Sequence, residues 1–139
     1  MRTSYIWGLV MVIFLAFPAC KNSDNTPTPG NTTNQNLLKT WKVSQVLEGS
    51  LNITSEFSQY RLMLNEANGN KDFTLVQRDG TSITGSWGIS TDETTITLTT
   101  NGNTITLSGV SISASELKYT ADEQGKAGAV SLAFTLVPA

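Results

Sequence analysis

The chain has 139 residues, nine Lys and Arg against eleven Asp and Glu, no histidine and a single cysteine, Cys20. Without imidazole there is no histidine general base and no His-ligated zinc, and one thiol makes neither an internal disulfide nor a cysteine metal knuckle. A formal net charge of -2 gives no electrostatic basis for binding nucleic acid, and neither a metal nor another cofactor is expected.

Met1-Arg2-Thr3-Ser4 is followed by an uncharged run from Tyr5 to Phe17 and then by Pro18-Ala19-Cys20. A basic start, a short apolar stretch and a small residue ahead of a cut form the pattern of a secretory signal. The run is shorter than the roughly 20 apolar residues that span a bilayer. The cysteine directly after Ala19, ahead of the polar Lys21-Asn22-Ser23-Asp24-Asn25, resembles a bacterial lipoprotein signal. The resemblance implies cleavage after residue 19, transfer of a diacylglycerol to the Cys20 sulfur, and membrane attachment through acyl chains without a spanning helix. The alternative is an ordinary signal cut near Ala19, which leaves a lone thiol exposed in an oxidising compartment. Loss of Arg2 leaves eight cations and eleven anions, a side-chain charge of -3. Lys21 stands where an Asp implies inner-membrane retention, so the outer membrane is expected, with either face open.

Residues 20–36 then read as the lipidated cysteine and a flexible tether. Asn, Thr, Pro and Gly in KNSDNTPTPGNTTNQN bury too little surface to offset the entropy of ordering.

Residues 37–139 read as one β domain, because apolar and polar residues alternate with period two, as in strands with one buried face. Leu37-Leu38 is expected to form a helical turn over one end. Trp41, Val43 and Leu47 are read as inward, followed by Tyr60, Leu62 and Leu64; Phe73 and Leu75; Ile83, Gly85, Trp87 and Ile89; and Ile96 and Leu98. Ile105, Leu107, Val110 and Ile112 continue the series, Leu117 and Tyr119 resume it after a bulge expected at Ala114-Ser115, and Val130, Leu132, Phe134 and Leu136 close it. Asn68-Gly69, Asp79-Gly80 and Asn101-Gly102 are hairpin turn signals, and Asp122-Glu123-Gln124-Gly125 is read as a fourth. Short connections after Tyr60 predict an all-β fold, an antiparallel up-and-down barrel of about eight strands, with a β-sandwich as the alternative. Mostly short strands with a Thr- and Ser-rich outer face set it apart from a membrane-spanning barrel.

Leu38-Lys39-Thr40-Trp41-Lys42-Val43, Thr84-Gly85-Ser86-Trp87-Gly88-Ile89, Thr95-Ile96-Thr97-Leu98 and the stretch from Ile112 to Tyr119 together resemble the lipocalin-like domains of small Gram-negative bacterial lipoproteins. The resemblance implies a barrel that binds a small apolar or amphipathic molecule. Trp41, Tyr60, Trp87 and Tyr119 are the candidate ligand contacts, since aromatic side chains line an apolar pocket or stack on a sugar; as core residues they would instead close the barrel ends. A non-catalytic module that binds a protein partner, as an inhibitor, immunity factor or complex subunit, and a carbohydrate binder are the other readings. Catalysis is not expected. Glu56, Glu66, Asp72 and Asp79 are the only carboxylates placed to suggest a glycosidase pair, and no spacing selects two of them.

Overall fold

The computed structural model describes residues 33–125 and 127–139, which lie in one compact unit, Asn31–Ala139. The segment read as a signal, residues 1–19, and Cys20 lie outside the described residues. The elements are a 3-10 turn η1 (Gln35–Leu37), β1 (Thr40–Glu48), β2 (Leu51–Asn52), a 3-10 turn η2 (Thr54–Phe57), β3 (Arg61–Ala67), β4 (Asn70–Val76) and β5 (Ser82–Ile89). They continue with β6 (Thr95–Thr100), β7 (Asn103–Ile112), β8 (Leu117–Gly125) and β9 (Gly128–Pro138). From β3 to β9 each strand pairs antiparallel with the next, and β1 pairs with both β3 and β9. The β1–β9 ladder, from Trp41↔Pro138 to Glu48↔Leu132, closes eight strands into a barrel, with β2 as a two-residue addition to β1. The architecture is lipocalin-like, and closure rules out the sandwich, which would leave sheet edges unpaired.

The tight turns follow from residues that tolerate positive φ. Asn68 (φ 53°) with Gly69 (φ 80°) and Asn101 (φ 22°) with Gly102 (φ 87°) make two-residue hairpin loops. The β4–β5 loop turns on Gly80 (φ 85°), with Asp79 Oδ1 accepting from the Thr81 backbone N–H at 2.8 Å. Asp122–Gly125 is not a turn. It pairs residue by residue with β9 as far as Gly125↔Gly128, so the hairpin is longer than its composition suggests.

Two bulges shift the inward phase away from strict alternation. The β1–β9 register slips between Val43 and Gln45, which turns Val46 into the core and leaves Leu47 half-buried. The β7–β8 register slips between Ser108 and Ser111, where Gly109 has φ 60°, so inward positions run Leu107 then Val110. The odd step at Ala114-Ser115 is a hairpin turn and not a bulge: the Ser113 N–H and hydroxyl both donate to the Glu116 carbonyl.

The interior is filled by side chains from every strand of the ring, among them Trp41, Leu62, Leu64, Ile96, Leu98, Leu117 and Leu136, each at most 1% exposed. One end is covered by residues 33–39. Leu37 is fully buried, Asn34 Nδ2 donates to Glu93 Oε2 at 3.2 Å, and Lys39 Nζ donates to the Ala114 carbonyl at 3.0 Å. Residues 33–36, tether by composition, therefore belong to the folded unit. The other end is partly covered by η2, whose Phe57 is fully buried.

Candidate functional site

The four aromatic residues singled out by the sequence sit at three places. Trp41 opens β1 beneath η1, is fully buried, and donates from Nε1 to the Leu37 carbonyl at 3.1 Å. Trp87 on β5 is 4% exposed, donates from Nε1 to the Asn65 carbonyl at 2.9 Å, and carries Lys71 Nζ 5.2 Å from its ring centre. It also borders an open groove of about 410 Å³ beside the Asn68-Gly69 hairpin. Both indoles are thus mostly committed to packing and to one backbone carbonyl each.

Tyr60 and Tyr119, by contrast, are brought together. Inward alternation on β8 and β9 pairs Tyr119 with Phe134, and Tyr60 enters from the start of β3. Both tyrosine rings stack on Phe134 with centres 5.1 Å away and interplanar angles of 28° and 21°. Phe57 meets Phe134 edge-on at 5.3 Å. Such pairs contribute about 0.5–1.5 kcal/mol each beyond their buried area. The two hydroxyls lie 2.8 Å apart. Burial above all, with the Glu123 carboxylate acting in the same direction, holds both phenols well above their ordinary pKa, so both are protonated at neutral pH.

Beside this stack is a half-enclosed recess of about 270 Å³. Tyr60, Leu75, Ile105, Leu107, Ala121 and Phe134 form its walls. Gln77, Asp122, Glu123 and Gln124 complete its lining, which holds no cation among the described residues. Nearby, Arg78 from the β4–β5 loop reaches Glu56 on η2 at 3.8 Å and Glu123 on β8 at 4.0 Å, with its guanidinium 5.8 Å from the Phe57 ring centre. Contacts this long and this exposed contribute little to stability, but they draw three elements together at this end of the barrel.

The four carboxylates considered for catalysis are dispersed. Glu66 follows the inward phase of Leu62 and Leu64 on β3, whereas Asp72 stands in the outward phase beside Phe73 on β4. Asp79 is held by its own turn, which keeps its carboxyl below the usual range, and Glu56 faces Arg78. Among the described residues no three His, Cys, Asp or Glu side chains gather as a metal site.

Phe57, Arg78 and Glu123 escaped the sequence reading. Phe57 lies in Ser55-Glu56-Phe57-Ser58-Gln59, where no alternation marks an inward face; its one signal is a large aromatic side chain isolated in a polar connection.

The fold and site define a lipocalin-like barrel whose inward side chains are buried, with one end closed by residues 33–39 and a small recess of mixed apolar and polar lining near the other. No known family model matches the chain, and no curated protein matches it significantly.

Proposed function

We propose that the protein is a non-catalytic lipoprotein of the bacterial cell envelope, anchored to the outer membrane through acyl chains on Cys20, whose barrel binds a small apolar or amphipathic molecule. The observation that carries the binding role is the recess of about 270 Å³ at Tyr60 and Phe134, beside a core of buried inward side chains. Its volume falls just below the range of about 300–1,000 Å³ typical of drug-sized ligands, which favours a single ring or a short chain.

The binding role is tested by purifying the full chain from membranes in mild detergent and analysing co-purifying small molecules by native mass spectrometry. A stoichiometric apolar molecule, displaced when Leu107→Trp fills the recess, supports it. Recovery of the same molecule from the filled variant contradicts it. The anchor rests on the Ala19-Cys20 junction and is tested separately: Cys20→Ser abolishes labelling by radioactive fatty acid and moves the protein to the soluble fraction, and unchanged labelling overturns the anchor.

A further inference from the structure

The hydroxyl pair that Tyr60, a wall residue of the recess, makes with Tyr119 is incomplete. A phenol carries one proton and accepts through its oxygen. Tyr60 and Tyr119 make one hydrogen bond to each other, at 2.8 Å, and either can be its donor. Whichever donates, the second proton has no acceptor among the described residues, although the two residues are only 4% and 2% exposed. A buried donor left without a partner costs about 1–3 kcal/mol, so this proton is a strong demand for an acceptor. Tyr60 is part of the recess wall together with Leu75, Ile105, Leu107 and Phe134, and Gln77, Asp122, Glu123 and Gln124 share the lining.

Charge narrows the choice further. Asp122 and Glu123 are the charged residues of the lining, and Arg78 nearby is already shared between Glu56 and Glu123. A carboxylate or phosphate placed here would meet like charge in a partly desolvated site, which is unfavourable. An uncharged oxygen acceptor meets no such penalty.

We infer that the recess takes an uncharged molecule with a compact apolar body and a carbonyl or ether oxygen, and that this oxygen accepts from the Tyr60 hydroxyl, whose proton is free when Tyr119 donates to Tyr60. The inference rests on the recess being a ligand site and assigns its ligand class.

The test uses the intact chain in phosphatidylcholine nanodiscs, with carbon-13-labelled Tyr, Phe and Leu followed by NMR and empty nanodiscs as the partition control. The probes are cyclohexanone, methylcyclohexane and cyclohexanecarboxylate, matched in size and differing in the acceptor and its charge. Cyclohexanone is expected to shift Tyr60 and Phe134 resonances and to bind about tenfold more tightly than methylcyclohexane, the effect of one added hydrogen bond. Cyclohexanecarboxylate is expected to bind more weakly than the ketone. The double variant Tyr60→Phe with Tyr119→Phe, which keeps the ring stack, is expected to lose the ketone preference and keep its affinity for the hydrocarbon.

Equal affinity for ketone and hydrocarbon in the unaltered chain, a ketone preference that survives in the double variant, or a carboxylate that binds most tightly each overturns the inference while leaving a ligand site at the recess. No shift at Tyr60 or Phe134 with any probe overturns the site and the inference together.

Discussion

The hydroxyl oxygens of Tyr60 and Tyr119 meet at 2.8 Å across the barrel interior although the residues are 59 positions apart in the chain. Removing one hydroxyl strands the other as a buried polar group, whereas removing both leaves an apolar stack of three rings, two of them packed on Phe134. Each single Tyr→Phe variant is therefore expected to be destabilised by about 1–2 kcal/mol, and the double variant by clearly less than the sum of the two. Urea unfolding of the four proteins in the cycle measures the coupling; additive losses would show that the two hydroxyls do not act as a pair.

The same pair sets a dependence on alkaline pH. Both phenols are raised above the ordinary value of 10.0, chiefly by burial. A group whose pKa is higher folded than unfolded contributes stability that is fully present below its unfolded pKa and is lost as pH rises through the folded value. Stability is thus expected to fall above about pH 10, with the slope reduced when both tyrosines are Phe. In a chain shortened to exclude Tyr5, Tyr60 and Tyr119 are the only tyrosines, so tyrosinate absorbance reports on them alone. It should appear together with loss of the barrel's circular dichroism; phenol titration near pH 10 in an intact barrel would contradict the burial argument.

Gly85 explains the small residue in Gly85-Ser86-Trp87. A Cβ there would overlap the Thr99 carbonyl oxygen and press on the Phe73 ring at 2.9 Å. Gly85→Ala is expected to cost about 2–3 kcal/mol by overpacking. Gly88, three residues along the same strand, has open space where its Cβ would be, and Gly88→Ala is expected to be near neutral. Thermal melts of the two variants make the comparison, and equal effects would refute it.

Trp87 distinguishes packing from sugar stacking. With 4% of its surface exposed and its indole N–H bonded to Asn65, Trp87→Ala is expected to lower stability by about 3–5 kcal/mol, the range for a large core truncation. A Trp87→Ala protein that keeps its stability while losing affinity on a glycan array would instead assign the ring to a carbohydrate surface.

At the acid end, Asp79 and Asp92 are held below the usual carboxylate range, Asp79 by the Thr81 backbone N–H first and Asp92 by the Ser90 hydroxyl first. Their contribution is present above the unfolded pKa of 3.8 and is lost as pH falls through the lower folded values. Asp79→Asn and Asp92→Asn are each expected to flatten the loss of stability below about pH 4. Denaturant midpoints at pH 3 and pH 6 check this, and parallel shifts at both pH values would show that neither carboxylate is responsible.

The sequence by itself determined what depends on neighbours within a few residues. Alternation marked the inward faces of β3 through β6 and of β9, Asn-Gly pairs marked two hairpins, and the isolated Cys20 marked the proposed anchor. Alternation is a local property with a period of two, so it stays reliable until one extra residue enters a strand. At Val43–Gln45 a bulge does this, and the inward face moves from Leu47 to Val46; the bulge at Gly109 instead accounts for the step from Leu107 to Val110 that the apolar residues already marked. Tertiary structure alone decided the rest. The β1–β9 ladder joins the two ends of the domain, and nothing in either strand's own pattern names its partner. Phe57 becomes core only because the barrel end lies beneath η2. Tyr60 and Tyr119 become one polar group, with one proton to spare, only because barrel closure places their strands around a shared Phe134.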